Sequence, residues 1–220
     1  MHTPPDPRRF FSQPAESLAP ALLGTILVRT LHDGSTLRAR IVETEAYVGI
    51  HDRASHAYHA HRSPRNESMY APPGVLYVYF TYGMHHCANI VCGSPGEPLA
   101  VLLRSLEPLD GISIMRARRD DPRHTRKVPI PDHHLCRGPG NVCKALNIDR
   151  SLDGIDLVTD NRLSVEIPSN LPISPEQVSK GPRIGIGDKG AWTSAPLRFW
   201  ISNCPSVSRS RKDAHRRREV

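Results

Sequence analysis

The chain has 220 residues, enough to bury one good core, and the length predicts a single domain. Its 29 Lys+Arg against 22 Asp+Glu leave a formal net charge of +7, a surplus that suits a polyanionic partner and also serves solubility. No apolar run is long enough to span a bilayer and no charged-then-apolar leader opens the chain, so an intracellular protein without a membrane partner is expected.

Residues up to Pro7 are polar and proline-rich, a loosely held start. Leu18, Leu22 and Leu23 give a helical face that ends at Gly24, while Pro20 predicts a short or broken helix. Thr25 to Leu31 reads as a strand, with His32-Asp33-Gly34-Ser35 as a hairpin turn into Leu37 to Tyr47. Residues 48 to 74 hold His51, His56, His59 and His61 among prolines and polar groups, a long loop with one helical turn. A metal is the weaker reading of these histidines, since no acid or cysteine completes a ligand set. Val75 to Met84 and Cys87 to Cys92 are strands, as is the apolar run Leu99 to Leu106, interrupted by Arg104.

Gly111 to Arg119 reads as a helix with its basic residues late, followed by a polar stretch to His134. Gly138-Pro139-Gly140 opens a short helix through Leu146. Residues 155 to 167 alternate like strands, and Pro182 to Ile186 and Pro196 to Ile201 supply the last apolar strands. The end, Ser208 to Arg218, is a basic, non-periodic tail. Five cysteines at irregular spacing do not make a disulfide framework, and Cys136 and Cys143, near His133 and His134, lack the second pair of a zinc set. They read as structural thiols.

Two stretches carry most of the chemistry. In Ile41 to Tyr47 the period of two places Glu43, Glu45 and Tyr47 on one face, an odd choice for a strand. In Val75 to Met84, Tyr77 and Tyr79 share a face, and Tyr82 precedes Gly83, where the strand turns and a ring would be displayed at a tip. Core filling or cross-strand pairing is the alternative use of these rings. Arg104, inside an apolar strand, calls for a partner such as Glu45, or for an edge position that reaches solvent.

These residues, in this order, resemble the alkyladenine (3-methyladenine) DNA glycosylase family. The resemblance rests on Val42-Glu43-Thr44-Glu45-Ala46-Tyr47, His56, Leu76-Tyr77-Val78-Tyr79, Tyr82-Gly83-Met84, Asn89 and Leu102-Leu103-Arg104. It continues through Gly138-Pro139, Arg183-Ile184-Gly185-Ile186-Gly187 and Pro196-Leu197-Arg198-Phe199. It implies an α+β fold: one mixed domain over residues 8–205, with a curved, mostly antiparallel, open-barrel-like sheet, short flanking helices and a basic tail at 206–220. It also implies a monomeric, monofunctional enzyme that removes 3-methyladenine, 7-methylguanine or hypoxanthine from double-stranded DNA without metal or organic cofactor. The compartment would be the cytoplasm and nucleoid in a bacterium and the nucleus in a eukaryote. By the same resemblance Glu45 is the base that activates water, and Arg104 and the carbonyl of Ile184 help hold that water. Tyr47, His56 and Tyr79 line the base pocket, Asn89 screens exocyclic groups at its side, and Tyr82 is the wedge in the duplex.

The chemistry is consistent with each role. A base inside a duplex is inaccessible, so it must be rotated out, its stack refilled and its ring held between aromatic faces. Neither key strand contains a lysine, which favours simple hydrolysis over Schiff-base chemistry. Two rivals are a nucleic-acid-binding module without chemistry and a zinc-dependent base deaminase. The second lacks its H-x-E and P-C-x-x-C signature here.

Overall fold

A computed structural model of the protein describes residues 7–120, 128–169, 171 and 173–208. Its frame is a curled antiparallel sheet. The strands are β1 (Ile26–Thr30), β2 (Thr36–Tyr47), β3 (Leu76–Thr81), β4 (His85–Cys92), β5 (Leu99–Asp110), β6 (Leu163–Glu166), β7 (Val178–Gly181) and β8 (Arg198–Ile201). The main path runs β3-β4-β5-β2-β1-β6, and β8 joins β2 while pairing β7 on its other side. Short helices flank the sheet: α1 (Pro7–Phe11), α2 (Ala15–Ala21), α3 (Ile112–Arg119), α4 (Pro139–Leu146) and α5 (Ala191–Ser194). The α+β class expected from the sequence is the one observed.

β2 is the spine of the sheet. One edge pairs β5 throughout, whereas the other pairs β1 up to Arg40 and β8 from Glu43 to Glu45. Register shifts against β5 between Ile41 and Glu43 and between Glu43 and Thr44 mark a bulge where the partner changes. The bulge reverses the facing of the strand. Leu37, Ala39 and Ile41 lie in the main core, but after the bulge Ala46 belongs to that core and Thr44 Oγ1 donates to the Ala19 carbonyl of α2. Odd-numbered residues therefore face the core before the bulge and away from it afterwards, and Glu43, Glu45 and Tyr47 emerge on the far face.

The neighbouring strands sort the same way. Leu76, Val78, Ala88, Ile90, Val101 and Leu103 enter the main core, whereas Val75, Tyr77, Val91 and Ala100 form a smaller cluster with Ala57 and Met69 on the opposite face. Gly111 shows why α3 starts where it does. Its φ is +74°, and an added Cβ would lie 2.3 Å from Leu37 Cδ2, so only glycine fits there.

Several boundaries differ from expectation. Residues 155–162 do not form a strand: Asp156 makes only an isolated bridge with Val75, residues 157–159 are a turn in which the Asp156 carboxylate accepts the Val158 N–H, and β6 starts at Leu163. Pro182 to Ile186 is a loop and not a strand: Pro182 has no N–H and Gly185 adopts φ +80°. β7, just before it, was not anticipated. The histidine-rich loop contains three 3₁₀ turns instead of one helical turn. Packing runs past residue 205: Ser206 is fully buried and Ser208 bonds to Glu43. The remainder of the basic tail, and most of the polar stretch after Asp120, lie outside the described residues.

Candidate active site

The far face of the sheet carries a cavity of about 490 Å³, lined by Tyr47, His56, Tyr77, Tyr79, Tyr82, Asn89, Leu102, Arg104 and Ile184, among others. Its volume falls in the range of roughly 300–1,000 Å³ usual for small-ligand sites. All seven other residues expected beside Glu45 thus converge on one cavity.

Glu45 is fully buried, and three of these lining residues hold its carboxylate. Oε1 accepts the Ile184 N–H at 2.7 Å and lies 3.2 Å from Arg104 Nη1; Oε2 accepts the Tyr47 hydroxyl at 3.0 Å. Burial pushes its pKa upward, an effect opposed by Arg104, the Ile184 N–H and Tyr47, and reinforced by Glu43. Ile184 meets Glu45 through its N–H. Burial also raises the Tyr47 phenol well above its usual range, and the Glu45 charge adds to this.

Arg104 serves both acids. Its Nε donates to Glu43 Oε1 at 3.1 Å while Nη1 reaches Glu45, so the pairing expected with Glu45 exists but does not single that residue out. Burial alone would lower the guanidinium pKa; Glu45 and Glu43 together reverse this and raise it. Saturation distinguishes the two acids. Glu43 also accepts Arg198 Nη1 at 3.1 Å, Ser105 Oγ at 2.8 Å, and both the N–H and hydroxyl of Ser208 at 2.8 Å. Five donors occupy the Glu43 oxygens and fix it as a structural hub.

His56 sits in the loop after β2. Its Nδ1 is 2.8 Å from the Tyr77 hydroxyl, and its ring stands edge-on to Tyr79 with centroids 4.5 Å apart. Burial first, then the neighbouring Arg65 and His61, lower its pKa and favour the neutral imidazole. Burial raises the phenols of Tyr79 and Tyr77, keeping both as neutral rings. Asn89 is 3% exposed, and its Nδ2 donates to the Tyr77 carbonyl at 3.1 Å, which fixes the amide in the wall. Tyr82 stands at the β3–β4 turn with φ +52° and 80% of its surface exposed, beside an exposed Met84. A bulky residue in the left-handed region is strained, and here the turn displays the ring in solvent.

Sequence reasoning missed Tyr77 as the support of His56, the Glu43 hub and a buried Asp52–Arg183 pair. Tyr77 was legible, since it shares a strand face with Tyr79; the others depend on contacts between distant segments. Lys189 also reaches the cavity wall, although neither key strand contains a lysine. Cys136 and Cys143 are both buried in the core, and among the described residues no three His, Cys, Asp or Glu side chains converge as a metal set.

A buried, ion-paired carboxylate behind a ring-lined cavity is an arrangement with the shape and polarity to hold a flat heterocycle beside an acid–base group. The comparisons with known proteins narrow this reading. The methylpurine-DNA glycosylase family model matches residues 9–205. The DNA-3-methyladenine glycosylase of Mus musculus is 48% identical over 200 residues, covering 90% of this chain and 60% of the mouse protein. That of Homo sapiens is 46% identical, covering 90% of this chain and 66% of its own length. The chain therefore spans about three fifths to two thirds of these mammalian relatives. A putative 3-methyladenine DNA glycosylase of Streptomyces avermitilis is 45% identical over 214 residues, covering 97% of this chain and 95% of its own. The chain belongs to the methylpurine-DNA glycosylase family.

Proposed function

We propose that this protein excises alkylated and deaminated purines from double-stranded DNA. It rotates the damaged nucleotide out of the helix and hydrolyses its N-glycosidic bond to leave an abasic site. The observation that carries this reading is the Glu45 carboxylate, held by Arg104, Tyr47 and the Ile184 N–H behind the aromatic cavity. A buried carboxylate with a raised pKa, fixed by neighbours and close to the ring seat, can take a proton from water as the water attacks an oxocarbenium-like sugar.

In this reading the faces of Tyr47 and Tyr79 and the edge of His56 sandwich the extruded base. Electron-rich rings favour purines made cationic by alkylation, such as 3-methyladenine and 7-methylguanine. Neutral hypoxanthine relies on stacking alone. Asn89, locked by the Tyr77 carbonyl, is placed to reject an extra exocyclic amine. Tyr82, solvent-exposed on its turn, enters the stack that the base leaves, as a wedge. The enzyme acts as an intracellular monomer without cofactor. Release of free base from duplexes carrying single 3-methyladenine, 7-methylguanine or hypoxanthine lesions tests the reading. The strand should stay intact until alkali treatment, and borohydride should trap no adduct on Lys189. A folded protein that binds these duplexes and releases no base would return it to the class of binding modules.

A further inference from the structure

Between β7 and α5 the chain runs along the cavity as the loop 182–187, whose Ile184, Gly185 and Ile186 line it and which delivers the Ile184 N–H to Glu45. Among the described residues, no backbone–backbone hydrogen bond involves this loop. Its fastenings are side-chain contacts. Arg183 Nη1 and Nη2 grip the two oxygens of Asp52 at 2.5 and 2.8 Å, and Nη1 also donates to the Ala46 carbonyl at 3.0 Å. Thr193 Oγ1 reaches the Gly187 carbonyl at a longer 3.3 Å. Both side chains of the Asp52–Arg183 pair are wholly buried.

Asp52 has a second task. Its Oδ1 accepts the Ala54 N–H at 2.9 Å and its Oδ2 the Val48 N–H at 3.2 Å, which closes the turn that presents His56. The backbone bonds of residues 48–56 are otherwise local, apart from the His56 carbonyl, which accepts Asn66 Nδ2. One carboxylate thus ties together the chain segments that carry His56 and Ile184. The guanidinium it holds also lies over the Tyr47 ring, 4.7 Å from its centroid, and braces one face of it.

From this geometry we infer that Asp52 and Arg183 are positioning residues for base excision: a clamp that sets the Ile184 N–H on Glu45 and the seat of His56. The inference rests on the function proposed above. Burying two charges is costly, and apolar residues of the same volume often stabilise equally well, so stability alone does not account for the pair. A bidentate arginine fork does fix the orientation of a loop, which an apolar contact cannot.

The consequence is read in the ionisation of Glu45. The groups facing that carboxylate are Arg104 on β5, Glu43 and Tyr47 on β2, Tyr79 on β3, Cys87 on β4 and the Ile184 N–H and Arg183 on the loop. The Ile184 N–H favours the ionised form. When the clamp loosens, that hydrogen bond lengthens, Glu45 ionises at higher pH, and the acid limb of the excision rate moves upward in pH.

Three variants test this: Arg183→Lys, Asp52→Asn, and the double variant Asp52→Leu/Arg183→Met, which removes both charges at once. Single-turnover excision is measured against pH, per folded molecule, alongside the melting temperature. A misplacement of this kind should lower the rate near neutrality by about 10- to 100-fold in Arg183→Lys and in the double variant, with the acid limb displaced upward. A folded variant with wild-type rate and wild-type acid limb overturns the proposal. Failure of all three to fold also overturns it, assigning the pair to stability alone. If the wild-type protein releases no base, the proposed function falls separately. The clamp is then judged by amide hydrogen exchange in Arg183→Lys. Faster exchange confined to peptides 48–56 and 182–187 supports it, and unchanged exchange there refutes it.

Discussion

Glu45→Gln is the substitution that separates an enzyme from a binder, and the structure sets its magnitude. Glutamine keeps the length of the side chain, and its oxygen can still accept the Ile184 N–H now made at 2.7 Å, while the Tyr47 hydroxyl turns to accept from the new amide. Arg104 is not orphaned, because its Nε remains 3.1 Å from Glu43. Stability should therefore change by no more than about 1 kcal/mol. Its sign follows from linkage. Burial raises the folded pKa of Glu45 above its unfolded value, so its contribution to stability is present below the unfolded pKa and lost as pH rises through the folded one. The Gln variant, lacking that loss, should gain on the wild type as pH rises through this window. Excision should fall by roughly 10²–10⁴-fold, equivalent to about 3–5 kcal/mol of barrier. Glu43→Gln should do the reverse. It strips the charge from a hub of five donors, two of them on buried arginines, and should cost about 3–5 kcal/mol of stability. In a domain of this size that lowers Tm by roughly 6–20 °C. Excision per folded molecule should stay within about tenfold of wild type, since the removed group is not the proton acceptor. Single-turnover release of hypoxanthine from a lesion duplex, run beside thermal melts of all three proteins, makes the comparison. Near-normal excision by folded Glu45→Gln would refute the assignment of Glu45 as the base.

Tyr82→Ser, at a side chain 80% exposed, should leave the melting temperature unchanged. It should weaken binding to a duplex with an abasic-site analogue by about 1–3 kcal/mol, the worth of one lost stack, and equal losses on single strands would place the ring elsewhere. Asn89→Ser opens the wall beside Tyr77, so release of guanine lesions, and of normal guanine, should rise relative to hypoxanthine; an unchanged preference in single-turnover assays counts against the placement. Affinity for undamaged DNA should fall steeply with salt, with a log–log slope that counts neutralised phosphates, and a flat response would remove the electrostatic argument.

Local pattern along the chain marked the strands that frame the cavity and several of the side chains that line it. Alternation, which depends only on neighbours two positions away, placed Glu43, Glu45 and Tyr47 on one side of β2, and the Gly83 turn placed Tyr82 at a tip. Resemblance then drew His56, Asn89, Arg104 and Ile184 to the same site, and the structure brings all of them to one cavity. Alternation carried unbroken along β2 would have put Leu37, Ala39 and Ile41 on the face of the acids. The bulge at the change of partner from β1 to β8 turns the strand over between them, and bulges arise from pairing between strands. The difference in surroundings between the two acids is likewise tertiary. Both meet Arg104, but the donors that saturate Glu43 come from Ser105, Arg198 and Ser208, between 62 and 165 positions away. Asp52 finds Arg183 131 positions along the chain, in a stretch whose apolar residues read as a strand and which folds as a loop. Periodicity reports which way a side chain points from its own strand; which partner meets it there is decided when distant segments close over the same face.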